Sequence, residues 1–337
     1  MVNAMDMDTR IGQLVMAPLY AGNNPASLAS LIADRHVGSV LIIGKWTGGV
    51  ASVRAAADQL QGYAPGDNRL IISTDQEGGW VQHLIGPGFD RMPTAVDQGT
   101  MSTDQLRQSA SVWGSQLAAA GINVDLAPVL GTVVANRAAN APIGALYRDF
   151  GLDAAGNAAQ GTAFVQGMAD AGVQSAIKHY PGLGAVTGNT DFTADGILDT
   201  TTTLDGAEIK AFDTTIDQAD PAMVMMALAT YQAIDPNDPA VFSSIIIDGH
   251  LRGDLGYDGV VISDSMSAAA VSAYDTTQLG VKLVEAGGDL ACIGDTNYVA
   301  PILDGLSTRA ASDPAFANKV TQSAIRVMTL KIKMGLA

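Results

Sequence analysis

Val173-Gln174-Ser175-Ala176-Ile177-Lys178-His179-Tyr180-Pro181-Gly182-Leu183-Gly184 is the stretch on which the fold turns. Val173 to Ile177 is a short apolar run of the kind that forms a buried strand. A Lys-His pair ends it, and a Pro/Gly-rich loop follows, with Asn189-Thr190-Asp191 shortly after. Gly182 and Gly184 allow backbone shapes and close approaches that side chains would block. Polar groups gathered where a buried strand ends are what an α/β enzyme uses to grip a polar ligand. The plainer alternative is a turn carrying a surface lysine and a satisfied histidine. The rest of the chain bears on that choice.

Working outward, similar apolar runs recur at 13–17, 38–43, 70–73, 124–126, 223–226, 259–262 and 290–293. Ala-rich amphipathic stretches lie between most of them, for example at 24–34, 50–62, 103–120, 154–171 and 278–286. Strand alternating with helix argues for a parallel sheet. Continuous apolar strands are expected where both faces of that sheet are covered. Eight such units without a linker predict an α/β fold, a closed (β/α)8 TIM-type barrel forming a single domain over 1–337, with closing helices from about 301. A doubly wound open sheet is the alternative. No Gly-x-Gly-x-x-Gly fingerprint follows the first strand, which weighs against it.

Composition narrows the function. Hydrophobic residues make up 47% of the 337 and charged residues 15%, which suits a well-buried core. The net charge is −16, from 18 Lys+Arg against 34 Asp+Glu, so nucleic acid and anionic membranes would be repelled. No apolar run has the length of a membrane span. The lone cysteine, Cys292, sits inside an apolar run and reads as a small buried hydrophobe. The four histidines are scattered without metal-ligand spacing, and no cofactor motif is present. The N-terminus shows no signal-peptide pattern, so the chain as it stands reads as cytoplasmic. An exported or lipid-anchored form would require a leader that has been removed.

Polar residues fall at the ends of the predicted strands. Asp75, Gln76 and Glu77 follow the third strand, and Asn136, Arg137 and Arg148 lie after the fourth. Lys178 and His179 follow the fifth, and Ser263, Asp264 and Ser265 the seventh. In a (β/α)8 barrel all of these meet at the C-terminal mouth. A ring of loop-stabilising salt bridges is the competing explanation. No Gly-x-Ser-x-Gly elbow and no phosphate-binding loop is present. Asp264 ends the strand Val260-Val261-Ile262, where a carboxylate would be held rigidly and could attack a carbon centre. Lys178 could keep a carboxylate ionised and bind hydroxyls, or form a Schiff base; neighbouring carboxylates favour the protonated amine. Dense Asp, Lys, His and Arg suit a hydroxyl-rich ligand, with Trp80, Tyr147 and Tyr180 as candidate aromatic platforms.

These residues resemble the single-barrel β-N-acetylglucosaminidases (β-N-acetylhexosaminidases) of glycoside hydrolase family 3. The resemblance runs from about Ile11 to Gly335. It rests on Asp75-Gln76-Glu77-Gly78-Gly79, Ala127-Pro128-Val129, Lys178-His179-Tyr180-Pro181-Gly182-x-Gly184, the stretch Leu251 to Val261, Ser263-Asp264 and Ala286-Gly287-Gly288-Asp289. It implies a retaining double displacement without a cofactor, Asp264 as nucleophile, and Asp75, Arg148, Lys178 and His179 as ligands of the sugar hydroxyls. The implied substrate is a β-N-acetylglucosaminide or a peptidoglycan- or chitin-type oligosaccharide, and the chain is expected to be a monomer.

The sequence also departs from that family. Better-known members carry Asp-Ser-His after the Lys-His loop, and that His is their acid/base. Here the matching residues are Asn189-Thr190-Asp191. Two family arginines are replaced by Trp80 and His83, and the chain resembles a variant actinobacterial branch sharing Gly-Leu-Gly and Asn-Thr-Asp. Asp191 is therefore the candidate acid/base, workable if burial or the Asp264 charge raises its pKa. The alternatives are a weakened or inactive sugar-binding homologue, a β-glycoside phosphorylase, and, through Lys178, a barrel aldolase.

Overall fold

The computed structural model describes residues 1–134 and 136–337. Eight strands form one sheet: β1 Val15–Tyr20, β2 Ser39–Ile43, β3 Ile71–Thr74, β4 Val124–Asp125, β5 Gln174–Tyr180, β6 Met223–Met226, β7 Val260–Ser263 and β8 Ala291–Cys292. Each pairs in parallel with its sequence neighbour from β1 to β7, and β1 also pairs with β8. A parallel bridge between Ile262 and Leu290 joins β7 to the start of β8. The sheet is thereby closed into the expected (β/α)8 barrel.

Strand alternation explains the continuous apolar runs. Met16, Leu41, Ile71, Val124, Ala176, Met225, Ile262 and Cys292 belong to one cluster, which fills the barrel. Their neighbours Val15, Val40, Ile72, Ile177, Val224 and Val261 belong to the other, which packs under the helices. Both faces of each strand are dry, so no polar alternation is left to see. Val327, Leu330 and Leu336 join the inner cluster and plug its lower end. They come from the C-terminal helix Pro314–Lys333 and the tail beyond it. With Val299–Ser312, this gives the two closing helices read from the sequence.

Many acidic residues serve as helix caps. Asp153, Asp275 and Asp313 accept backbone N–H groups at the starts of Ala154–Asp170, Thr276–Glu285 and Pro314–Lys333. Ser102 and Gln105 form a reciprocal capping box on Thr103–Ala119. The helix expected at 24–34 is a single-turn Pro25–Leu28 and a short Ala29–Ala33. Two further helices, Ala207–Ala219 and Ile245–Asp254, complete the ring. The second is wound widely, with Gly249 N–H donating to Ser244 O at 2.9 Å and Leu255 N–H to His250 O at 3.0 Å. Its Ile245-Ile246-Ile247 run and paired glycines hide the 3.6-residue period.

Candidate active site

A cavity of about 460 Å³ opens at the C-terminal ends of the strands. Asp75, Arg148, Lys178, His179, Asp191 and Asp264 all line it. The chain thus brings together the six ionisable residues expected to carry catalysis and sugar binding, but not the expected aromatic platforms.

Lys178 and His179 lie inside β5, which runs to Tyr180 and is longer than the sequence indicated. The pairing of β5 with β6 slips between Lys178 and Tyr180. Successive side chains on a regular strand face opposite ways; at this irregularity both line the cavity. Lys178 is 1% exposed. Its Nζ lies 2.5 Å from Asp75 Oδ1 and 2.6 Å from Glu77 Oε1. Glu77 in turn accepts both arms of the Arg148 guanidinium, at 2.9 and 2.7 Å. Arg148 also donates to Pro142 O at 2.9 Å.

This buried network sets its own charges. Burial works against the ammonium of Lys178, but Asp75 and Glu77 outweigh it and hold the group above its ordinary pKa. Burial likewise opposes the Glu77 carboxylate, and Arg148 and Lys178 overcome it, holding Glu77 well below the carboxylate range. Lys178 therefore remains a cation, which is unsuited to Schiff-base chemistry. His179 goes the other way: burial, then the Arg148 and Lys178 charges, push it well below its usual value. It is a neutral imidazole with Nε2 4.0 Å from Asp264 Oδ2 and Nδ1 unpartnered.

Backbone contacts explain why the β3 segment presents two carboxylates. Gln76 N–H donates to Asp125 Oδ1 at 3.0 Å, and its side chain brackets Leu84 through both its amide groups. Gly78 has φ of 98°, and a Cβ there would lie 2.3 Å from Pro93 O, so only glycine makes this turn. His83 returns into the cavity with Nε2 3.9 Å from Asp75 Oδ2. Burial lowers its pKa, against the pull of Asp75.

Asp264 stands just past β7, its Oδ1 accepting the Ser265 N–H at 2.8 Å. Burial first, and then the Asp191 charge, raise it to about 7. Asp191 is raised too, mainly by burial and by Asp75 against the opposing Arg148. It stands at the open lip, where water softens the effect. Its loop is anchored: Asp191 N–H donates to Asn189 Oδ1 at 3.0 Å, and Ala269 and Ala270 donate to the carbonyls of Asp191 and Thr190 at 3.2 and 3.1 Å. The two carboxyls line one cavity, and the Asp191 charge favours the protonated form of Asp264.

Residues 6–330 match the Glycosyl hydrolase family 3 N terminal domain. The chain belongs to glycosyl hydrolase family 3. It is similar to Beta-hexosaminidase LpqI of Mycobacterium tuberculosis, 31% identical over 317 residues, covering 91% of this chain and 78% of that protein. Beta-hexosaminidase of Alkalilimnicola ehrlichii is 32% identical, over 83% of this chain and 81% of that protein. The crystal structure of Beta-N-acetylhexosaminidase from Beutenbergia cavernae superposes with a TM-score of 0.94 at 41% identity, covering 97% of this chain and 98% of that one.

Within this family-3 site, several readings need correction. Trp80 is 74% exposed, Tyr147 is exposed, and neither lines the cavity. Tyr180 is fully buried behind the strand, edge-on to Phe212 at 5.2 Å. The aromatic walls are Tyr20 and Phe192 instead. Arg137 is spent on Asp149 at 2.6 and 2.8 Å, pinning the β4 loop, and Asn136 caps a turn there. Sequence reasoning placed Glu77 at the mouth but gave no role to this hub of the network. Its signal was a second carboxylate two residues after Asp75, immediately before the paired glycines. Cys292 is buried in β8, and burial raises its thiol well above the ordinary value, as a packing residue requires.

Proposed function

We propose that the protein is a retaining β-N-acetylhexosaminidase that removes terminal β-linked N-acetylglucosamine. The observation that carries this reading is that Asp264 and Asp191 line one cavity with Asp75, Lys178 and Arg148, the last two ion-paired through buried Glu77. The family relatives named as hexosaminidases support the sugar.

In the first step, an Asp264 oxygen attacks the anomeric carbon and the glycosidic C–O bond breaks. Asp191 gives its proton to the departing oxygen. In the second step, Asp191, now a carboxylate, takes a proton from water as the water oxygen attacks the same carbon. The ester bond to Asp264 then breaks, and the sugar leaves with its configuration retained. Asp75 and Lys178 together offer acceptor and donor to the hydroxyls, with Arg148, neutral His179 and neutral His83 around them. Burial of the paired charges gives these hydrogen bonds their strength, because water does not compete.

Phosphorolysis is disfavoured. Asp191, Asp264 and Asp75 crowd the mouth with negative charge, which repels a phosphate acceptor. A pure sugar-binding role would have no use for Asp264 at the end of β7. The test is hydrolysis of an aryl β-N-acetylglucosaminide beside the aryl β-glucoside, by wild type and Asp264→Asn. Turnover of the first substrate that is lost in Asp264→Asn is the expected result. A folded wild type that turns over neither substrate would overturn the reading in favour of a binding protein. Rates that rise with added phosphate would indicate a phosphorylase.

A further inference from the structure

The hairpin that carries Glu77 ends on a residue the ion-pair network does not use. Gln76–Gly78 pairs antiparallel with Val81–Gln82 across the Gly79-Trp80 turn. That pairing brings His83 back opposite Asp75, where its backbone N–H donates to Asp75 O at 3.3 Å. His83 O accepts from Trp46 N–H at 2.9 Å, so both of its backbone groups are spent. Its neighbours are held as well: the Gln82 amide donates to Asp90 O at 2.8 Å, and Leu84 N–H donates to Gln76 Oε1 at 3.0 Å. On this fixed stem the imidazole lines the catalytic cavity, with Nε2 3.9 Å from Asp75 Oδ2. That is too long for a direct hydrogen bond. Lys178 takes the other oxygen of Asp75, Oδ1, at 2.5 Å. Among the described residues, no donor is bonded to Oδ2.

We infer that Asp75 Oδ2 and His83 Nε2 together hold one hydroxyl group of the sugar, and that His83 makes the site select for that hydroxyl. This deepens the activity proposed above and rests on it. A hydroxyl oxygen about 2.8 Å from each atom fits the 3.9 Å gap between them. Paired with the Lys178 ammonium, Asp75 presents an acceptor. His83 is neutral, because burial outweighs the pull of Asp75. The unspent carboxylate oxygen favours the tautomer with its proton on Nε2. The two side chains therefore present one acceptor and one donor to the same point. A hydroxyl answers both, donating to Asp75 and accepting from His83. The acetamido N–H can only donate and the acetamido carbonyl can only accept, so neither takes its place. A sugar without the hydroxyl leaves the donor and the acceptor unpaired, which is how a polar pair rejects the wrong ligand.

The experiment measures kcat/KM on nitrophenyl β-N-acetylglucosaminide and on its 3-, 4- and 6-deoxy analogues, in wild type, His83→Ala and His83→Gln. Nitrophenolate leaves without a proton, so the comparison does not depend on Asp191. His83→Ala should lose roughly tenfold or more on the parent and on two of the analogues. On the third, which lacks the hydroxyl in question, wild type and His83→Ala should agree within about twofold. His83→Gln, whose amide N–H can stand in for Nε2–H, should recover most of the loss. A loss equal on all four substrates would make His83 a structural residue only and overturn the inference, as would a glutamine variant no better than alanine. An inactive wild type would overturn the hydrolase reading instead. Calorimetric titration with N-acetylglucosamine and its deoxy analogues would then show the same pattern of affinities or refute it.

Discussion

The carbonyl of Asp191 accepts a hydrogen bond from the backbone N–H of Ala269, at 3.2 Å. Ala269 belongs to the segment that follows β7 and Asp264, so the loop of the proposed acid is docked on the loop of the proposed nucleophile. Thr190 O and Ala270 N–H repeat the contact at 3.1 Å. Backbone bonds thereby tie together the two loops that carry the proposed acid and the proposed nucleophile, which restricts how far the two carboxyls can move apart.

Removing the acid should therefore discriminate between leaving groups. Asp191→Ala should lower kcat/KM by roughly 10² to 10⁴-fold on an alkyl or sugar aglycone, and far less on a nitrophenyl glycoside that departs without a proton. A loss equal on both substrates would remove Asp191 from the acid role.

The pH profile carries a second signature. As the proposed nucleophile, Asp264 would act only when ionised, and its elevated pKa of about 7 confines that form to the alkaline side. In Asp191→Asn the like charge is gone, so the Asp264 pKa falls and the acid limb of kcat/KM moves to lower pH. Burial is the larger cause and persists, so the limb should stop short of the ordinary 3.8. An aryl substrate with a good leaving group makes this limb measurable without the acid.

Glu77 stabilises as well as positions. Glu77→Ala leaves Arg148 and Lys178 as buried like charges with only Asp75 between them. The loss should be about 3–5 kcal/mol in denaturant unfolding, together with a rise in KM. Glu77→Gln should lose less stability, because its amide oxygen still accepts from both donors.

Lys331 at the barrel floor offers a test far from the chemistry. It is fully buried and donates to Gln13 Oε1 at 2.7 Å and Asn68 Oδ1 at 2.9 Å, with no carboxylate. Burial lowers its pKa to about 7 from an ordinary 10.5. Between these values the unfolded chain binds the extra proton, so stability from this group rises with pH across that window. Lys331→Met should flatten the rise and stabilise the protein most below pH 7, on the order of a few kcal/mol. Chemical denaturation at pH 6 and pH 9 measures both effects.

The barrel was legible because each strand is apolar on both faces, as Met16 inside and Val15 outside illustrate. The candidate site was legible because polar residues cluster at strand ends, with Asp264 after Val260-Val261-Ile262 as the clearest case. Other features needed coordinates. Tyr180 belongs to the same motif as Lys178 but packs outward on Phe212, and residue type alone does not reveal the facing when the register slips at that point. Tyr20 enters the site from the end of β1, and Phe192 from the loop beside Asp191, without any motif to mark them. The helix Ile245–Asp254 escaped because its wide winding breaks the usual period.

The most direct measurement is to trap the intermediate. A 5-fluoro N-acetylglucosaminyl fluoride destabilises both transition states, while its good leaving group keeps formation of the ester faster than its breakdown. Mass spectrometry of the digested protein should then find one added 5-fluoro-N-acetylhexosaminyl unit on the peptide containing Asp264, and none in Asp264→Asn. An adduct on another residue, or steady turnover of the aryl glycoside with no covalent species on Asp264, would contradict the proposed double displacement.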